Sequence, residues 1–254
     1  MATDPKHQVI LLPGAVLPKD LAYGTLLDAL GDGVVAHAKD LEVYAEDRPP
    51  PDYGLGLELE GVARDAEARG FDRFHLVGYS AGGAICAAFT AHHPDRVLSL
   101  SLLEPAWLGN EGLSAPELDA RAALARWRDL PAEELMPRFV AVQLAPGVEP
   151  PPPPPGPEPP WMSTRPAGIA AITQAFDDYE LRADELRAFP RPVYYALGSL
   201  SNPDLYGAMA ERAESLFADF TLEVFEGRHH FDPPHRVEPD RLAESLLGTW
   251  ASAG

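Results

Sequence analysis

A serine lies between two glycines in the run Gly78-Tyr79-Ser80-Ala81-Gly82. The apolar run 74–78 before it predicts a strand, and the small residues that follow, from 81 to 88, predict a tightly packed helix. In such a strand-to-helix turn the serine has a strained backbone, and its hydroxyl projects over the sheet edge beside the positive helix N-terminus. We therefore predict that Ser80 is a nucleophile, with the Ala81 N–H beside it.

A serine hydroxyl needs a base, and histidine is suited to take its proton at neutral pH and return it to a leaving group. Six of the eight histidines have a sufficient structural interpretation, in or beside predicted strands, at a helix C-terminus or after a Pro-Pro turn: His7, His37, His75, His92, His93 and His235. His229 and His230 remain, in the loop 226–231 after the last predicted strand. Both are candidates for the base.

The elements that must position these residues alternate between short apolar runs and helical patterns. Strands are predicted over residues 7–12, 34–37, 74–78, 97–103, 193–197 and 221–225. Helices are predicted over residues 54–69, from 81 to before Pro94, and over 205–217. This alternation indicates βαβ units around a mostly parallel sheet.

Between Ala106 and Pro190 the strand pattern gives way to a helical one. Helices are predicted over 114–128, which begins in a capping-box sequence, and over 131–142 and 166–176. Six consecutive prolines at 150–155, within the Pro-rich segment 146–160, force an extended stretch without backbone donors. A stiff strap is favoured over an adaptor-docking site. We predict a core domain of residues 1–106 and 190–254, and an inserted helical cap over 107–189.

The strand, the G-x-S-x-G motif, the helix, the insertion and the G-x-x-H-F run at 227–231 together resemble the α/β-hydrolase family over essentially the whole chain. The resemblance implies an α/β-hydrolase fold, with a mostly parallel central sheet flanked by helices and an inserted helical cap. It selects His230 over His229, because the family histidine is usually the fourth residue of such a run.

The resemblance also implies an oxyanion hole made by the backbone N–H groups of Ala81 and Ala15, with Val16 as the alternative to Ala15. Relatives commonly open this turn with a His-Gly pair, whereas this chain has Pro13-Gly14.

The chain departs from the family at the acid. Relatives commonly carry Gly-x-x-Asp after the penultimate strand, and Ser201 occupies that position here. Glu104 is the preferred acid, because it ends the strand after the nucleophile helix and ligand-facing groups lie at strand carboxyl ends in open α/β sheets. Asp204 is the alternative acid, and a histidine without an acid is the third interpretation.

Composition excludes several classes of protein. A chain of 254 residues with 46% apolar side chains is long enough for one sizeable core. The single Cys86 excludes an intramolecular disulfide and Cys-based zinc sites. A net charge of −19 repels phosphate backbones, so no nucleic-acid partner is expected. No apolar run approaches the ~20 residues of a membrane helix and no secretory signal is apparent, so we expect no membrane partner and a cytoplasmic location.

We therefore predict a carboxylic ester hydrolase that acts on a small, largely apolar molecule through an acyl-enzyme on Ser80, without metal or organic cofactor. The alternatives are other chemistry at the same site (acyl transfer, perhydrolysis, carbon–carbon bond hydrolysis or lyase chemistry) and a ligand-binding protein that lacks a functional acid. Five side chains are candidates for the substrate pocket: Tyr79, Trp107, Met136, Phe139 and Trp161. The oligomeric state is left open.

Overall fold

The computed structural model describes residues 7–127, 130–152 and 155–253. Its strands are β1 (His7–Leu12), β2 (Val34–Ala38), β3 (Phe74–Tyr79), β4 (Val97–Leu103), β5 (Val193–Gly198) and β6 (Phe220–Phe225). They form one sheet in the order β2-β1-β3-β4-β5-β6, in which every neighbouring pair is parallel. The predicted parallel sheet is confirmed, and each strand end lies within one residue of its predicted position.

The α-helices of the described ranges are α1 (Lys19–Leu30), α2 (Leu55–Ala68), α3 (Ala81–His92), α4 (Ala115–Trp127), α5 (Ala132–Ala141), α6 (Arg165–Asp178), α7 (Ala183–Arg187), α8 (Ala208–Leu216), α9 (Pro234–Val237) and α10 (Pro239–Ser252). The sequence analysis did not predict α1, α7, α9 or α10. In α10 the buried Leu242, Leu246 and Trp250 recur at helical spacing, so the periodicity there carried a usable signal. No helix in these ranges is both long and apolar enough to cross a membrane.

The sheet is covered on both faces, because alternate strand residues point to opposite sides. Val9 and Leu11 of β1 pack in a cluster with α1 and α10, whereas Ile10 and Leu12 pack in a cluster with α2 and α3. Helices on both faces explain why these strands are almost continuously apolar. The insertion begins after the carboxyl end of β4, next to the carboxyl end of its parallel neighbour β3.

The helices α4 to α6 follow β4 and precede β5 in the chain, and they pack on one another. The predicted capping box is present at α4, where Ser114 N–H donates to Glu117 Oε2 at 2.9 Å and Glu117 N–H donates to Ser114 Oγ at 3.3 Å. The predicted end of this helix at residue 128, and Pro153 and Pro154 of the proline run, lie outside the described residues. The division into core and cap stays a prediction.

The insertion is joined to the loop after β5 by a short antiparallel contact rather than by helices alone. Leu144 and Ser201 form an isolated β-bridge, and Ala145 N–H donates to Leu200 O at 2.9 Å. Asn202 N–H donates to Gln143 O at 3.0 Å, and its side chain donates to Val142 O at 2.7 Å. Residues 142–145 thus hold the loop 200–202 in place.

Candidate active site

Ser80 occupies the turn between β3 and α3 in a strained conformation, with φ 53° and ψ −118°. Its N–H donates to Leu103 O at 3.1 Å, and its carbonyl accepts the Ala106 N–H at 2.9 Å. A positive φ costs a residue with a Cβ of order 1–3 kcal/mol, and such strain persists only where the surroundings enforce it. Here bonds to β4 and to the residues just after it fix the serine backbone from both ends.

The glycines of the motif allow β3, α3 and β1 to approach closely. A Cβ added at Gly78 would overlap the backbone of Gly82, and one added at Gly82 would overlap the carbonyl of Leu12. Backbone atoms cannot move aside as a flexible side chain can. The G-x-S-x-G spacing is therefore a packing requirement of the turn that carries Ser80.

His230 lies between Ser80 and Glu104, in the loop after β6. Its Nε2 is 3.1 Å from Ser80 Oγ, and its Nδ1 is 2.9 Å from Glu104 Oε2. The three residues are 2–6% exposed. His229 turns away, with its Nδ1 2.9 Å from Asp232 Oδ1. Of the two candidate bases, the structure brings only His230 to the serine.

Glu104 directly follows β4 with a φ of 45°, and both of its carboxylate oxygens have partners. Oε1 accepts the Gly198 N–H at 2.7 Å, and Oε2 faces His230 Nδ1. Because an ionised carboxylate only accepts hydrogen bonds, Nδ1 carries a proton and Nε2 of the neutral ring presents a lone pair to Ser80. This tautomer is the one that a base for the serine requires.

Asp204 does not reach the imidazole. It is exposed, its N–H donates to Asn202 Oδ1 at 3.0 Å, and no hydrogen bond or ion pair joins it to His230 within the described residues. Ser201, at the position where relatives commonly hold the acid, is buried, and its hydroxyl has no partner there. The structure thus brings Glu104 to the histidine and leaves the alternative acid in solvent.

Two tyrosines sandwich the imidazole of His230. The Tyr79 ring stacks at 4.9 Å between centroids and its hydroxyl donates to the His230 carbonyl, while the Tyr206 ring stacks at 4.5 Å and 14°. Tyr206 Oη is also 3.1 Å from His230 Nε2 and 2.7 Å from Gln143 Oε1. Burial raises the pKa of both phenols well above the usual range, so both stay neutral. Tyr206 and Gln143 belong to no motif, and the sequence analysis missed them.

Two side chains that do not line the cavity, Tyr44 and Arg165, fix the turn after β1 through its carbonyl groups. Tyr44 Oη donates to Ala15 O at 2.6 Å, Arg165 Nε donates to Val16 O at 2.7 Å, and the Arg165 guanidinium lies 3.9 Å from the Tyr44 ring centroid. Ala15 and Ala81 both line the cavity in front of Ser80. In the described part of the chain neither of their amide N–H groups has an acceptor, so both are available to an anionic oxygen.

The cavity in front of Ser80 is mostly apolar and is formed with the insertion. Its lining, besides Ser80 and the two alanines, comprises Ala106, Trp107, Arg121, Leu124, Phe139, Gln143, Ile169, Ile172, Thr173, Phe176, Asp177, Leu205 and Tyr206. Of the predicted pocket residues, Trp107 and Phe139 therefore line it.

The other three predicted pocket residues are not among these lining side chains, and their contact with a substrate stays a prediction. Tyr79 precedes the nucleophile and points to the opposite side, where it packs under His230 and against His235 at 4.7 Å. Trp161 lies 5.0 Å from the Arg165 guanidinium, and Met136 packs against the core.

Two charged residues, Arg121 and Asp177, belong to the otherwise mostly apolar lining. Arg121 donates to Asp177 Oδ1 at 2.6 Å and to Asn110 Oδ1 at 2.7 Å, and the Trp107 indole N–H also donates to Asn110 Oδ1 at 2.7 Å. Within the described ranges no group of three or more His, Cys, Asp or Glu side chains is arranged to hold a metal ion.

The model of the alpha/beta hydrolase family matches residues 9–245, and the chain belongs to this family. The resemblance inferred from the motifs is thereby confirmed. A shorter similarity, 33% identity over 85 residues, links the chain to the dihydrolipoyllysine-residue acetyltransferase component of the acetoin cleaving system of Cupriavidus necator. That match spans 33% of this chain and 23% of the relative.

Three solved structures illustrate the fold. A thermophilic esterase from Thermogutta terrifontis has a TM-score of 0.70 and 18% identity, covering 99% of this chain and 92% of that one. Carboxylesterase CesB from Bacillus subtilis has a TM-score of 0.64 and 17% identity, covering 97% and 84%. The 2-hydroxy-6-oxo-6-phenylhexa-2,4-dienoate hydrolase from Rhodococcus sp. strain RHA1 has a TM-score of 0.65 and 16% identity, covering 97% and 91%. At these identities the likeness shows the fold.

Proposed function

We propose that this protein is a serine hydrolase that cleaves an ester or related acyl bond of a small, largely apolar substrate. The observation that carries the proposal is the continuous series of contacts from Glu104 through His230 to Ser80, which ends at a mostly apolar cavity. The family supports a hydrolase. The choice of an acyl bond rests on the serine nucleophile and on the two unpaired amides of Ala15 and Ala81.

In the acylation step, His230 Nε2 takes the proton of Ser80 Oγ while Oγ bonds to the acyl carbon. The electron pair of the carbonyl bond moves to the oxygen, which the amides of Ala15 and Ala81 bind as an oxyanion. Glu104 stabilises the imidazolium. The Nε2 proton then passes to the leaving oxygen as its bond to the acyl carbon breaks.

In the deacylation step, His230 takes a proton from water while that water's oxygen bonds to the acyl carbon. Collapse of the second oxyanion breaks the bond to Ser80 Oγ, which recovers a proton from Nε2. The apolar lining, including Trp107 and Phe139, binds the hydrocarbon part of the substrate. We assign the role of cap to residues 107–189, because α4 to α6 supply eight of the sixteen described residues that line the cavity.

The test is a series of p-nitrophenyl esters of increasing acyl length, combined with mass spectrometry after treatment with a fluorophosphonate. We expect a burst of p-nitrophenol and a phosphonyl adduct on Ser80. Ser80→Ala should abolish both with a nearly unchanged Tm, because alanine retains the Cβ of this buried turn and removes only the hydroxyl that faces the cavity. Ser215→Ala is the matched control, since Ser215 is exposed on α8.

Labelling at another serine, or full turnover by Ser80→Ala, would refute the proposal. A protein that binds the probes without turnover would be a ligand-binding protein. Turnover of a carbon–carbon diketone substrate in place of esters would indicate carbon–carbon bond hydrolysis at the same serine.

A further inference from the structure

We propose that Tyr206 is a further catalytic residue of this site, whose hydroxyl oxygen, oriented by Gln143, lies against His230 Nε2 and stabilises the positive charge of the imidazole after it has taken the serine proton. The inference rests on the proposed function, because it concerns the proton that His230 takes from Ser80.

The orientation of the two polar groups follows from their partners. Gln143 Nε2 donates to Phe139 O at 2.7 Å. Because a carbonyl oxygen only accepts, this bond fixes the amide with Oε1 towards Tyr206, 2.7 Å from its hydroxyl. Tyr206 is 1% exposed and Gln143 4%. Solvent therefore has little access to satisfy the hydroxyl in place of these partners.

Counting protons shows why the contact of Tyr206 with Nε2 depends on the charge of the ring. The phenol has one hydrogen, and the shorter of its two bonds, to Gln143 Oε1, takes it. The phenol oxygen then presents lone pairs to His230 Nε2 at 3.1 Å. In the neutral ring Nε2 also presents a lone pair, because the ring proton lies on Nδ1 towards Glu104, so the two atoms gain nothing from each other.

The same contact becomes favourable once Nε2 has taken the serine proton. The Nε2–H then points to the Ser80 or leaving-group oxygen, while Tyr206 Oη, which belongs to the ring stacked on the imidazole, turns the negative end of its dipole towards the charged ring. The hydroxyl oxygen thus favours the charged state over the neutral one, and only such differential binding speeds the chemical step.

The hydroxyl can be tested apart from the ring. Tyr206→Phe keeps the aromatic ring that stacks on His230. Tyr194→Phe is the matched control, because Tyr194 is also a buried tyrosine, lies on β5, and donates its hydroxyl to Glu223 rather than to a residue of the cavity. We expect Tyr206→Phe to lower kcat and kcat/KM together by about 10- to 100-fold, the range for a polar contact with a charged group, with KM unchanged. The acid limb of the pH profile of kcat/KM should move to lower pH, because the charged ring loses the stabilisation that the hydroxyl oxygen supplies.

A double-mutant cycle adds a second measurement. Gln143→Leu removes the acceptor of the phenol hydrogen, which turns to Nε2 and competes with Ser80, so activity should fall. In the Tyr206→Phe background the same substitution should have almost no further effect. Tyr194→Phe should retain wild-type kinetics, and the Tm of each variant confirms folding.

The inference is overturned if Tyr206→Phe retains kcat within twofold of the wild type, if only KM rises, if the acid limb stays in place, or if the effects of the two substitutions simply multiply. Any of these results, with turnover still dependent on Ser80, would leave the proposed function standing. Turnover that survives Ser80→Ala would instead remove the proposed function itself.

Discussion

Ser80 and Glu104 are the two residues other than glycine with a positive φ in the described part of the chain, and they directly follow the neighbouring strands β3 and β4. The Ser80 N–H donates to Leu103 O, directly before Glu104. Strain is thus concentrated at two adjacent strand ends that one backbone hydrogen bond ties together. The separation of the serine and the carboxylate, and with it the space for His230, is fixed by the sheet itself.

The first prediction concerns the acid. Glu104→Gln should lower kcat/KM by several orders of magnitude, on the order of 10⁴, because an amide neither fixes the tautomer nor stabilises the imidazolium. Asp204→Asn, the matched carboxylate-to-amide change in solvent, should cost less than tenfold. Steady-state ester hydrolysis measures both. If Asp204→Asn loses most of its kcat/KM while Glu104→Gln retains it, the loop after β5 supplies the acid.

The second prediction separates the two adjacent histidines. His230→Ala should remove activity, whereas His229→Ala should only reduce it, because His229 bonds to Asp232 rather than to Ser80. In the wild type, kcat/KM should fall on the acid side with a midpoint at about pH 6–7, the ordinary range for histidine, since protonation removes the base. Ester hydrolysis from pH 4 to 9 tests this, and the opposite ranking of the two variants would exclude His230 as the base.

The third prediction concerns the turn that carries Ala15. Arg165→Ala removes the donor to Val16 O and the cation over Tyr44, so the turn loses two of its supports. We expect kcat to fall about tenfold or more with KM nearly constant, since a misplaced amide weakens only the binding of the oxyanion. Arg182→Ala, which removes an exposed arginine elsewhere in the insertion, is the control. An effect of Arg165→Ala on KM alone would show that Arg165 serves substrate binding instead.

The fourth prediction concerns stability and pH. Burial lowers the pKa of His235 to about 3, and neither ring nitrogen has a hydrogen-bond partner among the described residues. Below about pH 6.5, the pKa of histidine in the unfolded chain, the imidazole of His235 binds a proton when the chain is unfolded but not when it is folded. The free energy of unfolding therefore falls as the pH drops towards 3. At pH 5 the loss from this residue is about 2 kcal/mol.

The test is urea unfolding at pH 7 and pH 5. His235→Phe keeps an aromatic ring against Tyr23 and Tyr79 and removes the titrating group, so the stability of this variant should depend less on pH. His75, whose pKa burial also lowers to about 3, keeps its own contribution in both proteins. An identical loss of stability in the variant and the wild type would mean that His235 titrates normally.

The parts of the site that could be predicted are those set by local patterns. Ser80 is marked by its glycines and by the strand and helix around it, and Glu104 by its place at the end of an apolar strand. Arg165 and Tyr206 could not be found in this way, because their roles depend on the paths of loops far apart in the chain. Arg165 reaches Val16 across 149 residues, and Tyr206 meets Gln143 across 63. The direction of Tyr79, under His230 rather than along the cavity, depends on the sharp turn at the next residue.

The contact of residues 142–145 with the loop 200–202 has a consequence for chimaeras of this fold. The segment that anchors the insertion also supplies Gln143, which orients Tyr206 beside His230. An insertion from a related enzyme, grafted with its crossover points at the ends of the helical region, would exchange this segment and disturb proton transfer together with substrate choice. Crossover points that leave residues 142–145 in place would confine the exchange to the walls of the cavity.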